Sequence, residues 1–390
     1  MTEAEKANPG PPVFEQGPIR PPSEARSLLL RVTRNCPWNQ CEFCPVYKGS
    51  RFSRRTLAEV QDDIRAMAYW HEHAVAESWR LGYGGALDDR AIPAVYARDP
   101  HNPYLTSILL WLSGGGKTAF LQDADNLILS PGELKGMLEF LRGTFPMIER
   151  VTTYSRSRTL AKRSVAELVA LRESGLDRVH VGFESGSDAV LALVKKGVDA
   201  QTHVAGGRRV MEAGLELSVY VMPGLGGRER WEEHALETAR VLSAVGPHFI
   251  RIRQLGLRDG MVLFERVTKG EFEPLDDVEI ARELRLLIAE LQGIASYVVS
   301  DHILNLLPEV EGRLPEDRDR MLRVIDAFLD LGPEEQWTYV VGRRLGFFEG
   351  VSGLEDPVSA GAARSALKRL RERGGPDVGK TIREAAARFI

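Results

Sequence analysis

The stretch Cys36-Pro37-Trp38-Asn39-Gln40-Cys41-Glu42-Phe43-Cys44 holds all three cysteines of a 390-residue chain. It follows Leu28-Leu29-Leu30, an apolar run with the signature of a buried strand. Three cysteines cannot form a disulfide framework in a chain this size, and an odd count suits a reducing compartment. Thiolates are soft ligands for zinc or iron–sulfur clusters, and close spacing lets one short loop reach three metal corners. Zinc usually takes a fourth ligand. His71 and His73 are available, but their spacing matches no zinc pattern and they are expected on the first helix, the one that carries Leu57 to Met67. The intervals match the first three cysteines of plant-type ferredoxins, whose distant fourth cysteine has no counterpart here. Three thiolates without a fourth point to a cubane whose last iron is open to another ligand.

Outward from this loop, strands and helices alternate. Strands are expected at 28–33, 118–122, 150–154, 178–183, 215–222 and 249–255. Between them, Leu57, Val60, Ile64 and Met67 recur at helical spacing. Ser130 with Glu133, and Ser164 with Glu167, form capping boxes; Gly175 and Gly214 end helices. Further helices are expected at about 228–245 and 277–291. Strict alternation implies a parallel sheet with right-handed crossovers, either an open doubly wound sheet or a partial barrel. In both, ligands bind beyond the C-terminal strand ends.

Residues 1–24 are rich in proline and read as a flexible arm, 25–260 as the core, and 261–390 as a mainly helical extension. The interval 82–117 is too long for an ordinary connection and contains an apolar segment, Tyr104 to Leu112, that reads as an inserted helix. It could lid the site or be a surface excursion. Composition is that of a globular protein, with 43% hydrophobic and 27% charged residues. A net charge of −4 gives no general attraction to nucleic acid or anionic membrane. No apolar run spans a bilayer, and the start lacks the apolar core of a signal peptide, so a cytoplasmic protein is expected.

The cysteine loop after the first strand, with aromatic Phe43 before the last cysteine, resembles the radical SAM superfamily. The likeness extends over roughly residues 28–255, especially to the elongator-like and oxygen-independent coproporphyrinogen oxidase-like branch, without a cobalamin-binding domain. It implies an α/β fold, a partial (β/α)6 TIM-like barrel, in which Cys36, Cys41 and Cys44 hold a 4Fe–4S cluster. S-adenosyl-L-methionine would chelate the open iron and be cleaved reductively to a 5′-deoxyadenosyl radical that abstracts hydrogen. The spacing departs from the usual Cys-x3-Cys-x2-Cys by one residue.

The resemblance also distributes roles along the strand ends. Phe43 would lie against the adenine. Gln122 and Asp123 stand where relatives contact the methionyl amine, through side chain or backbone. Glu184, followed by Ser185, matches a polar cofactor contact, and Lys196 falls where relatives place a cation for the cofactor carboxylate. Pro223 and Gly224 let the backbone approach adenine and ribose. Gly114-Gly115-Gly116-Lys117-Thr118 is not a phosphate loop, because Trp111 stands where that motif needs glycine and a strand follows it.

On the substrate side, Ile250 and Ile252 should face the helices, leaving Phe249, Arg251 and Arg253 towards the interior. Two arginines there need partners: cofactor or substrate carboxylates, or internal acids. Tyr154 and Arg156 are similar candidates. Asp301 could orient His302 as a proton donor or substrate hook, or both could be turn residues. The chemistry implies an oxygen-sensitive enzyme with a flavodoxin- or ferredoxin-like donor and a small organic or tetrapyrrole-like substrate. RNA modification, an Fe–S electron carrier and a zinc-stapled binding module are the alternatives.

Overall fold

The computed structural model describes residues 10–374 and 379–382. β1 (Leu28–Arg31) leads into β2 (Thr33–Arg34), which pairs antiparallel with β3 (Ser53–Arg54) and so ties together the two ends of the cysteine loop. Then follow α1 (Leu57–Arg80), α2 (Ala91–Tyr96), α3 (Pro103–Ser113), β4 (Thr118–Gln122), α4 (Pro131–Thr144) and β5 (Arg150–Ser155). Next come α5 (Ser157–Leu160), α6 (Val165–Glu173), β6 (Arg178–Glu184), α7 (Asp188–Leu193), α8 (Ala200–Glu212), β7 (Glu216–Val221), α9 (Gly227–Val245) and β8 (Phe249–Ile252). The chain continues through α10 (Val262–Thr268), α11 (Asp277–Glu290), β9 (Tyr297–Val299), β10 (Gly312–Arg313), α12 (Arg318–Leu329), α13 (Pro333–Arg344) and α14 (Pro357–Gly374).

The main sheet runs β1-β4-β5-β6-β7-β8-β9-β10, parallel from β1 to β9. It is the partial barrel expected, with helices on its outer face. Period-two patterning sorts the strand residues. Ala119, Leu121, Val151, Val179, Val181, Leu217, Val219, Ile250 and Ile252 join the core under the helices. The alternate positions Phe120, Tyr154, His180 and Tyr220 put their rings together on the inner face, 5.4–6.4 Å between centroids. Among the described residues, four helices begin with capping boxes, at Thr56/Glu59, Ser130/Glu133, Ser164/Glu167 and Asp276/Glu279. Each satisfies two otherwise orphaned backbone donors and fixes where its helix starts.

One expectation needs correction and two gain detail. The described part of the proline-rich segment is not a free arm. Phe14 is buried against Tyr104, the Trp70 indole donates to the Pro12 carbonyl at 2.7 Å, and Glu15 pairs with Arg31 and Arg34. Proline lowers the entropy of the unfolded chain, so such a segment orders at small cost once it finds partners. Burying one Phe contributes about 2 kcal/mol towards that cost. Second, the 82–117 insertion does form a helix, but α3 packs on α1 and β1, with Trp111 wedged against Phe145. That places it outside the barrel wall as an excursion. Third, the described C-terminal extension opens on α10 and α11 and is mainly helical, as expected, with two short strands that were not foreseen. β9 adds a further parallel strand beside β8, and β10 pairs with β9. A three-residue strand is too short to show periodicity.

Candidate active site at the C-terminal strand ends

The cysteine loop is shaped by two asparagines in left-handed backbone, Asn35 at φ +68° and Asn39 at φ +48°. Asparagine tolerates that region because its short amide bonds locally. Asn35 donates to the Arg51 carbonyl and Asn39 to the Tyr47 carbonyl, while the Asn39 N–H points at Cys36 Sγ, 3.4 Å away. Trp38 anchors the longer first interval by donating to the Lys195 carbonyl at 2.7 Å. Its ring fills the space a Cβ on Gly197 would need, and the Arg156 guanidinium lies 5.2 Å above it. Burial pushes the Cys41 and Cys44 thiols up, their mutual repulsion with Cys36 adds to this, and Lys196 opposes it. A cationic metal corner would reverse that balance.

Facing the loop, β6 ends in a bulge between Gly182 and Glu184, with Glu184 at φ +64°. The bulge re-aims the carboxylate. Glu184 Oε1 lies 3.0 Å from Lys196 Nζ, and that ammonium sits 5.5 Å from the Phe43 ring centroid. Burial pulls Lys196 down, but Glu184 and Cys41 outweigh it and hold its pKa above the ordinary value. Ser185 is fully buried and accepts from the Ser187 N–H, so it shapes the turn.

Behind these residues lies a pair that sequence reasoning passed over. His234 of α9 bonds Glu283 of α11 through Nδ1 and lies 3.2 Å from the Glu184 carbonyl through Nε2. Burial opposes charge on His234, but Glu283 prevails and raises its pKa. The other Glu283 oxygen accepts from the Gly224 N–H at 2.6 Å. One buried pair therefore ties the Glu184 strand end to the glycine turn after β7, where Gly224 takes φ +91° beside Pro223. A signal existed: Glu283 interrupts the apolar stripe of Ile280, Leu284 and Leu287, where a carboxylate is costly unless paired.

At the β4 end, Asp123 is wholly buried and spends its carboxylate on Arg31 Nε (2.6 Å) and the Tyr47 hydroxyl (2.7 Å). Gln122 is likewise engaged, bonding the backbone of Gly17 and Ile19. Both side chains at this strand end are thus engaged within the protein.

On the inner face, Arg251 pairs with Asp301 at 3.0 Å and bonds Ser218. Internal acid pairing therefore holds it. Asp301 does not orient His302, whose Nδ1 accepts instead from the Leu304 N–H. Burial, with Arg253 and Arg344 nearby, depresses His302 to about 4. Arg253 is exposed at the strand end, near Tyr154 and His302. Tyr154 lines the interior, its hydroxyl pushed far up by burial, whereas Arg156 turns away to the Lys196 carbonyl at 2.9 Å.

The donor set suits an iron–sulfur group. All three thiols are free and partly exposed on one loop, with buried Phe43 and the Lys196–Glu184 pair beside them. Among the described residues, no three His, Cys, Asp or Glu side chains gather as the ligands of one metal ion would. No helix among them is long and apolar enough to cross a membrane.

The family model described as the radical SAM superfamily matches residues 30–239. An uncharacterized protein of Methanocaldococcus jannaschii is 27% identical over 146 residues, 37% of this chain and 44% of its own, so the match spans under half of that relative. Archaeal Elp3 of Methanocaldococcus infernus, lacking its N-terminus, is 16% identical at a TM-score of 0.40, covering 54% of this chain and 55% of that one. Methylornithine synthase is 14% identical at 0.43, covering 77% and 80%. Coproporphyrinogen III oxidase of Escherichia coli is 13% identical at 0.42, covering 68% and 52%. TM-scores this low say nothing of substrate.

Proposed function

The chain belongs to the radical SAM superfamily, and from that premise we propose that Cys36, Cys41 and Cys44 bind three irons of its 4Fe–4S cluster, leaving the fourth for S-adenosylmethionine. Enzymes of this superfamily use both cofactors, and the bound pair supplies reductive cleavage of the sulfonium to a carbon radical. The observation that carries the residue assignment is the donor set: three free thiols on one loop, in a chain with no fourth cysteine.

The residues around that loop take distinct parts. Phe43 offers an apolar wall for adenine. Glu184 would accept hydrogen bonds from the cofactor's ribose or ammonium, and Lys196, paired with Glu184 at 3.0 Å, would meet its carboxylate. The Pro223-Gly224 turn lets the backbone approach the nucleoside closely. At the β4 end any contact to the amine falls to the Gln122-Asp123 backbone. Arg253, exposed at its strand end, is available to a carboxylate of cofactor or substrate. Tyr154, Tyr220 and the Arg251–Asp301 pair line the space for a small organic substrate. A low-potential flavodoxin- or ferredoxin-like protein would supply the electron.

The test is anaerobic reconstitution. About four irons per chain, a spectrum altered by S-adenosylmethionine and dithionite-dependent 5′-deoxyadenosine are expected. Cys41→Ala should lose the iron. Zinc alone, or a cluster indifferent to S-adenosylmethionine, would overturn the reading.

A further inference from the structure

Glu42 lies between Cys41 and Phe43, yet its side chain turns into the protein and is 4% exposed. Its carboxylate pairs with Lys195 at 2.8 Å and with Arg266 at 3.0 Å. Its backbone is used on both sides: the N–H donates to the Val194 carbonyl and the C=O accepts from the Leu263 N–H, each at 3.0 Å. Arg266 also donates to the Leu193 carbonyl at 3.1 Å. One residue therefore joins the cysteine loop, the exit of α7 and the start of α10.

What α10 brings matters for the thiols. Fully buried Leu263, with Phe264 and Val267, packs into the apolar cluster around Phe43 that also touches Cys41 and Cys44. A seven-residue helix without a side-chain cap has little stability of its own, so its docking contacts decide where it sits. Of the two cations, Lys195 has a side chain 60% exposed and its attraction is screened; Arg266, at 22%, makes the firmer tie.

We infer that Glu42 is a positioning residue that clamps α10 over the cysteine loop as a cover for the iron–sulfur group, and that its carboxylate sets the charge beside it. The inference rests on the assignment of Cys36, Cys41 and Cys44 as ligands. Without the carboxylate, Lys195 and Arg266 beside the cysteine loop keep only the exposed Glu271, 3.7 Å from Arg266, as a counter-charge, and the excess positive charge favours the more negative, reduced state of the group. Without the clamp, α10 loosens and the apolar cover admits solvent and oxygen.

The experiment uses the full chain, reconstituted without oxygen, in four forms: wild type, Glu42→Gln, Arg266→Met and the double variant. Iron content, bleaching of the cluster absorbance on admitting air, and midpoint potential are read. The clamp predicts severalfold faster bleaching in both single variants, with the double variant no faster than the faster single. It also predicts a more positive potential in Glu42→Gln and, since Arg266→Met removes a cation, a shift the other way there. Wild-type bleaching and potential in variants that keep their iron would overturn the inference. So would loss of iron from Arg266→Met, because a cover is not needed for assembly. A wild-type chain that takes up no iron–sulfur group would instead sink the ligand assignment itself.

Discussion

Nζ of Lys196 lies 3.0 Å from Oε1 of Glu184, and both side chains are nearly buried, at 13% and 11% exposure. Neither charge is stable there alone, so the two residues hold each other in place between the cysteine loop and the β6 bulge. Lys196→Met should destabilise the fold by about 3 kcal/mol, since it strands a carboxylate. Glu184→Gln keeps the shape but removes the acceptor's charge. It should weaken S-adenosylmethionine binding by roughly tenfold or more while iron content survives. Equilibrium dialysis with the anaerobic protein checks this, and unchanged affinity would remove Glu184 from the cofactor contacts.

The His234–Glu283 pair makes a separate prediction. Glu283→Gln retains one acceptor for the Gly224 N–H or one partner for His234, without the charge that raises the histidine's pKa. The expected outcome is a cofactor affinity lowered about tenfold, with cluster absorbance unaltered. His234→Gln should resemble it. If the two differ widely, or the double variant is additive, they do not act through one another.

Gly197 sits at φ +74°, and a Cβ there would lie 2.4 Å from the Trp38 ring. Gly197→Ala combines a left-handed penalty of about 1–2 kcal/mol with displacement of the indole that anchors the cysteine loop. Reconstituted iron should fall in proportion to that displacement, whereas Gly143→Ala, with open space around its Cβ position, should leave it unchanged. Iron assay of the two variants side by side decides it.

Acid stability follows from two buried histidines. Burial depresses His203 to about 3 and His180 to about 4, against an ordinary value of 6.5. Below 6.5 the unfolded chain takes up protons that the folded chain refuses, so stability falls as pH drops from about 6.5 towards 4. Each histidine accounts for roughly 2 kcal/mol by pH 5. His203→Gln, which can still bond Ser157, should flatten the slope of urea midpoint against pH. A parallel slope would contradict the assignment.

Much of the barrel was legible because its signals are local. Ser130 with Glu133 and Ser164 with Glu167 start helices through contacts three residues apart, and Ile250 and Ile252 declare their face by alternation. The site was legible only in part. Cys36, Cys41 and Cys44 share a loop, so spacing alone brings them together. Asp123 and Glu184 each end a strand beside polar neighbours and looked alike. Arg31 and Tyr47, far off in sequence, take up the first, while a bulge and Lys196 leave the second facing the loop.

By itself the amino-acid sequence determined that three thiolates stand on one loop after the first strand, with no fourth anywhere, and that this strand opens a series of six strand–helix units. Tertiary structure decided which polar groups remain available: it paired Arg251 with Asp301, placed Glu283 behind Gly224, and folded the proline-rich start against α1. The physical reason is one of range. Capping, alternation and ligand spacing are satisfied within a few residues. The pairing of a buried charge depends on whichever partner the packed elements bring within 3 Å, and that partner can lie 50 or more residues away.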